Sequence, residues 1–204
     1  MRNPAAKSTC GMPIPTPAGE FTAYYSARGL CRLEFPSGAR QRKSKANWAR
    51  PPVQIRRWHA AASKALRLAL AGRPPRGLPP LDLSAGTDFQ RQVWRTLRRI
   101  ACGRTWSYGQ VARAMGNPKA VRAVGGACGA NSIPVFVPCH RVLAANHKLG
   151  GFSGGLAWKR RLLGCEGSRG RSAPACSQLI RHGSGPHPRT VPLALAHDGS
   201  RRGW

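Results

Sequence analysis

A thiol and an imidazole stand side by side at Cys139-His140, directly behind Pro138. Cysteine attacks as its thiolate, and an adjacent base or positive charge is what makes thiolate available at neutral pH. The pair could therefore be a covalent nucleophile with its base. Taken alone it reads more readily as a small buried hydrophobe that happens to precede a histidine. Pro138 fixes one backbone torsion and offers no amide donor, so it forms a rigid corner. Ile133, Val135, Phe136 and Val137 lead into that corner as a short buried segment. A base of this kind needs a group to orient it. Glu166 is a candidate, one of only 6 acids in the chain. By itself it also reads as a helix-end carboxylate paired with one of many arginines.

The elements around this corner can be read from capping and periodicity. Thr87-x-x-Gln90 and Ser107-x-x-Gln110 are capping-box patterns. The first opens a helix with Phe89, Val93, Leu97 and Ile100 at helical spacing, closed by Gly103. Phe89 and Trp94 belong to its core side. The second opens a short helix over 108–115, with Val111, Ala112 and Met115 inward and Gly116 as its stop. Asn117 then caps a further helix over 119–128, with Pro118 in its first turn. Two short helices across a tight turn make a helix-turn-helix. The second carries Gly125-Gly126, which costs about 1 kcal/mol per glycine relative to alanine. Either close helix packing or close approach to a nucleic-acid backbone would explain them.

Upstream, residues 21–26 and 30–35 have strand composition and flank a hairpin-like turn at Ala27-Arg28-Gly29. A helix is expected over 53–71, with Ile55, Trp58, Ala62, Ala65, Leu66 and Leu70 on one face and Gly72 as its end. Residues 1–16 read as a flexible N-terminus and 36–52 as a basic loop. A glycine-rich loop at 150–155 precedes a last helix over 156–165, whose buried face would be Leu156, Leu162 and Leu163. Residues 168–204 read as a basic, disordered tail.

The totals narrow the class. Of the 204 residues, 34 are Lys or Arg and 6 are Asp or Glu, a net charge of +28. So lopsided a charge calls for a polyanionic partner, and nucleic acid is the obvious one; a GC-rich codon bias would leave a similar imprint. No run of about 18 apolar residues is present, which speaks against a membrane span. Seven cysteines without framework spacing point to a reducing compartment. The start of the chain lacks a signal-peptide core, so an intracellular protein of the cytoplasm and nucleoid, or of a nucleus, is expected. Cys10, Cys31 and His59 have no metal-ligand spacing; no metal and no cofactor are expected, and His59 should face solvent.

Six stretches in order carry a likeness to a known family: TDFQRQVWRTLR (87–98), GRTWSYGQVARA (103–114), GNPKAVRAVGGA (116–127), NSIPVFVPCHRV (131–142), GGFSGG (150–155) and LAWKRRLLGCEG (156–167). The chain resembles the O6-alkylguanine-DNA alkyltransferases, also called methylated-DNA–protein-cysteine methyltransferases. The likeness is close over about 85–167 and loose over 17–84. It implies an α+β fold of two domains: a small ribonuclease-H-like α/β domain over 17–84, here abbreviated, and a mostly helical winged helix-turn-helix domain over 85–167. It implies direct reversal of DNA damage, an irreversible, stoichiometric transfer of the alkyl group of O6-alkylguanine, and of O4-alkylthymine in some cases, to Cys139. The partner would be double-stranded DNA, bound by a monomer.

The resemblance also assigns roles. His140 deprotonates Cys139 through a water, and Glu166 holds His140. Tyr108 donates a hydrogen bond to the purine as charge builds there, and Asn131 braces the turn between the DNA-reading helix and the reactive segment. Arg122 fills the place of the extruded nucleotide, on a helix whose Ala123, Gly125, Gly126 and Ala127 enter the minor groove. Carbonyls of Cys139 and Val142 and the amide of Ser153 line the base pocket, walled by Phe152. The family more often has tyrosine at 152, and an arginine near Gly129. Two rivals remain at this point. One is a lesion-binding or regulatory alkyltransferase-like protein without transfer, which would lack the reactive cysteine. The other is a Cys-His-Glu peptide hydrolase, which the helix-turn-helix and the +28 charge oppose.

Overall fold

The structure is a computed structural model, and it describes residues 9–36, 51–145 and 148–167. The first eight residues, most of the expected basic loop and the expected tail lie outside the described residues. The chain opens with a three-stranded antiparallel meander, β1 (Cys10–Thr16), β2 (Gly19–Ser26) and β3 (Gly29–Glu34). Alternation puts Ile14, Phe21, Ala23, Tyr25, Leu30 and Leu33 on one buried face. Helix α1 (Val53–Leu70) lays Ile55, Ala62, Ala65, Leu66, Ala69 and Leu70 against that face.

Strand β1 corrects the expectation of a flexible segment through residue 16. Pro13 and Pro15 argue against a strand, because neither can donate to a ladder. But β1 lies at the sheet edge and pairs only with β2, where a missing amide on the outer side is tolerated. Cys10 and Ile14 are buried within it. His59 also departs from expectation. It is half-buried, and its Nδ1 lies 3.2 Å from the Tyr25 hydroxyl.

Five further helical elements follow: α2 (Asp88–Leu97), α3 (Tyr108–Ala114), α4 (Val121–Gly129), a one-turn 3-10 helix at Cys139–Arg141, and α5 (Leu156–Gly167). Trp106–Ser107 (β4) and Val142–Leu143 (β5) pair in parallel. Both capping boxes form, with Gln90 and Gln110 returning the bond to the cap residue. Gly116 ends α3 with φ +74°. Its amide reaches Arg113 O at 2.9 Å, and Asn117 N reaches Ala112 O at 3.0 Å, the doubled closure that favours glycine there.

Three local expectations shift. Helix α4 begins at Val121 behind Ala120, not behind Asn117. Residues 117–120 instead form a separate turn, closed by Ala120 N to Asn117 O at 3.1 Å. Helix α2 ends at Leu97, and Gly103 turns the chain six residues later with φ +78°. In α5 the buried stripe is Lys159, Leu162 and Glu166, while Leu156 is 42% exposed.

One apolar core runs from the sheet through α1 to α2–α4 and the 133–142 segment. Backbone bonds tie the sheet to later segments of the chain. Leu30 N donates to Pro80 O at 2.8 Å, and Leu33 N to Ser132 O at 2.9 Å. Among the described residues no helix is long and apolar enough to cross a membrane.

Candidate active site

The reactive corner is built from the inside out. Residues 133–142 are buried throughout, Cys139 at 3% and His140 at 1% exposure. Val135 turns the approach with φ +74°, a conformation that costs a β-branched residue on the order of 1–3 kcal/mol and persists only where packing enforces it. The turn closes by Val137 N to Ile133 O at 2.9 Å. Asn131 holds it from beneath. Its Nδ2 donates to Val137 O at 2.8 Å and to Cys139 Sγ at 3.0 Å, and its Oδ1 accepts from Ile133 N at 3.0 Å.

Behind the sulfur, His140 Nε2 lies 3.0 Å from Glu166 Oε1. Glu166 also accepts from Arg141, from Nη2 at 2.8 Å and from Nε at 3.0 Å, and from Gly103 N at 3.2 Å. Arg141 Nη1 meanwhile donates to Ile100 O at 2.7 Å. Charge-assisted bonds of this kind are the strong ones. Burial pushes the Glu166 carboxyl up, but the bonds and charges of His140 and Arg141 outweigh it and hold the group down at about 2. Glu166 is thus an anion, which makes His140 donate through Nε2 and leaves Nδ1 as the basic nitrogen. Nδ1 is buried without a protein partner. Burial holds the His140 pKa below its ordinary value, against the pull of Glu166, so the ring is neutral and able to take a proton.

Burial pushes the Cys139 thiol up to about 11, against the Asn131 bond and the charge of Lys159, which draw it down. The resting sulfur is therefore a thiol, and nucleophilicity needs a base at the moment of attack. Lys159 is fully buried. Its Nζ donates to Val142 O at 2.6 Å and also reaches Leu149 O and Gly151 O. It ties the reactive corner to the glycine-rich loop and leaves Val142 O one lone pair for another donor.

A cavity of about 610 Å³ opens beside this corner. Tyr108 of α3 lines it, with Arg122, Gly125 and Cys128 of α4 opposite Phe152 and Ser153 of the loop. Cys139 is not on that wall itself, but Tyr108 and Cys128 are within electrostatic reach of it. Burial, with a smaller contribution from Cys139, raises both their pKa values, that of Cys128 to about 12. The cavity thus lies between the helix pair and the glycine-rich loop, whose Phe152 stands next to His140.

Helix α4 presents Arg122, Ala123, Gly126 and Gly129 to solvent, with Gly125 half-buried. A Cβ placed on Gly125, Gly126 or Gly129 would meet nothing within 4 Å. Close packing inside the protein therefore does not explain these glycines. Ala127 is a correction: it is 2% exposed, and its carbonyl accepts from Trp94 Nε1 at 2.8 Å. It faces the core and cannot lie on an external face.

Of the residues singled out in the sequence, Asn131 and Cys139 form one buried hydrogen-bonded pair, and His140 and Glu166 a second one beside it. Tyr108, Arg122, Gly125, Phe152 and Ser153 share the cavity. Lys159, Arg141 and Cys128 were not singled out. Lys159 lies three residues before Leu162 and seven before Glu166, so helical spacing puts all three on one face, and that signal was available.

Comparison with known proteins places this architecture. The family model described as 6-O-methylguanine DNA methyltransferase, DNA binding domain, matches residues 88–168. A methylated-DNA–protein-cysteine methyltransferase of Methanosarcina acetivorans is 38% identical over 156 residues, covering 75% of this chain and 95% of the relative. The protein of that name from Mycobacterium tuberculosis is 54% identical over 95 residues, 47% of this chain and 55% of the relative. Among solved structures, Mycobacterium tuberculosis OGT in complex with DNA superposes with a TM-score of 0.65 at 39% identity, covering 80% of this chain and 94% of that one. An O6-methylguanine DNA methyltransferase from Methanococcus jannaschii gives 0.55 at 27% identity, covering 80% and 97%. The chain has a mixed α/β fold of the kind these DNA repair proteins share. It belongs to the methylated-DNA–protein-cysteine methyltransferase family.

Proposed function

We propose that this protein repairs double-stranded DNA by taking the alkyl group from O6-alkylguanine onto Cys139, once per molecule. The observation that carries the reading is the buried Asn131–Cys139 pair and, beside it, the His140–Glu166–Arg141 group, which Phe152 separates from a cavity lined by α3 and α4. It supplies a soft nucleophile, a neutral base with a fixed tautomer, and an anion that stabilises the imidazolium.

In the transfer, Cys139 Sγ forms a bond to the alkyl carbon as the carbon–O6 bond breaks. The electron pair passes to the purine. The thiol proton goes toward His140 Nδ1, with a water as the bridge, and Glu166 holds the charged ring. Tyr108 suits the role of donor to the purine, because burial keeps its phenol protonated. Val142 O and the Ser153 amide provide the polar contacts of the base pocket, and Phe152 its wall. The product is a thioether, a poor electrophile, so the protein is consumed.

A target base must leave the stack to reach a cavity of this kind. The helix pair α3–α4 fits a winged helix-turn-helix unit reading the minor groove through Ala123, Gly125 and Gly126, with Arg122 entering the vacated place. The open space around these glycines supports that role. The sheet with α1 fits an abbreviated ribonuclease-H-like domain running to about residue 84, and the rest to 167 the transfer domain. The protein acts as a monomer.

The test is transfer of labelled methyl from an O6-methylguanine duplex, wild type against Cys139→Ser. Label on the wild type and none on the variant, with duplex binding retained in both, is expected. Binding without label on the wild type would leave a lesion-binding protein instead.

A further inference from the structure

The transfer chemistry leaves the N-terminal sheet without a role, yet β3 and the residue after it touch segments that flank the pocket at two points. Leu33 N of β3 donates to Ser132 O at 2.9 Å, next to Asn131. Two residues on, the Phe35 ring meets Phe152 at 5.5 Å and 67°. Phe152 lines the cavity and stands edge-on to His140, at 6.4 Å and 81°. The turn after it, closed by Gly155 N to Phe152 O at 3.0 Å, is moulded on the Phe35 ring. A Cβ on Gly154 would overlap that ring and come within 3.0 Å of Phe152. Phe35 is itself held by Phe21 at 5.4 Å and Trp158 at 5.0 Å. Phe21 is fully buried in the sheet. These separations are those of interacting aromatic pairs.

We infer that Phe35 is a positioning residue for the alkyl-transfer pocket, holding the Phe152–Gly155 turn against His140 from the N-terminal sheet. The inference rests on the transfer reading above. Phe35 is not among the residues lining the cavity, so it acts through Phe152. If its ring is lost, the pocket wall and the Ser153 amide move together relative to the sulfur. Reaction geometry is sensitive to such movement, and a displacement of about 1 Å can cost on the order of 100-fold in rate.

The experiment uses the full chain in single turnover, with free O6-benzylguanine and with a lesion-bearing duplex. Phe35→Ala slows both reactions by the same factor, about 10-fold or more, while affinity for an undamaged duplex is unchanged, because α3 and α4 are untouched. Phe35→Tyr restores most of the rate. Gly154→Ala displaces the same contact from the other side, and combined with Phe35→Ala it costs less than the sum of the two, as residues in contact do. The His140 ring resonances shift in Phe35→Ala, a readout that needs no transfer. A wild-type rate in Phe35→Ala overturns the inference. So does a rate that falls together with duplex affinity, which marks general loosening. A wild-type protein that binds the duplex and transfers nothing refutes the transfer reading itself, and the inference with it.

Discussion

Replacing Glu166 with glutamine removes one negative charge and almost no volume from the buried group behind Cys139. Four donors converge on that carboxylate: His140 Nε2, Arg141 Nε and Nη2, and Gly103 N. Glutamine offers one oxygen, and its amide points a donor at the Arg141 guanidinium. The charge of Arg141, at 7% exposure, is left without a counter-ion. Breaking a buried pair from one side costs about 3–5 kcal/mol. For a chain of this size that lowers the melting temperature by roughly 6–20 °C.

The same change slows transfer. His140 loses the anion that selects its tautomer and stabilises its protonated form, and general-base assistance is worth about 100- to 10,000-fold. The pH dependence separates charge from packing. The Glu166 carboxyl sits at about 2 against an ordinary 4.5. A depressed acid contributes stability that is present above its ordinary value and lost as pH falls through the folded-state value. The gap between wild type and Glu166→Gln should therefore close between pH 4.5 and about 2. Thermal melts across that range and single-turnover transfer at neutral pH are the assays. A variant that melts with the wild type at pH 7 and transfers at the wild-type rate would refute the placement of Glu166 behind the base.

Gly126→Leu gains helix propensity, about 0.5–1 kcal/mol, and a Cβ there meets nothing within 4 Å. Its melting temperature should hold or rise while duplex affinity drops, and unchanged affinity would remove α4 from the interface. Arg122→Ala should slow repair in duplex DNA more than reaction with free O6-benzylguanine, measured side by side; equal losses would count against the intercalating role. Asn131→Ala removes the donor to Cys139 Sγ and the bonds to Val137 O and Ile133 N. It should cost about 1–3 kcal/mol in denaturant melts and raise the Cys139 pKa, read as a shift of thiol alkylation to higher pH.

The helices were legible where their signals are local. Both capping boxes place their bonds within four residues of chain, so Thr87 and Ser107 announce α2 and α3 directly. The alternation of β2 and the turn at Arg28 did the same for the hairpin. Strand β1 was hidden because Pro13 and Pro15 forbid an inner strand, and edge position is a tertiary property. The start of α4 was misplaced because Asn117-Pro118 is equally good chemistry for a turn. Cys139 and His140 stood out by type and position. Glu166 needed the family likeness, since nothing local ties it to residues 25 or 26 positions away. Lys159 was overlooked because a lysine on a helix ordinarily faces water, and here three carbonyls from two segments, Val142 and the loop at Leu149 and Gly151, converge to hold it inside. Ala127 was assigned to the outer face by its place in the motif, whereas the Trp94 indole, from α2, draws its carbonyl inward.

The most direct measurement is the mass of the protein after mixing with excess O6-methylguanine duplex, followed by peptide mapping. Gain of a single methyl, confined to the peptide containing Cys139, with no further demethylation once every molecule is modified, is the expected result. A methyl on another peptide, or repair that continues for many turnovers, would contradict transfer to this sulfur.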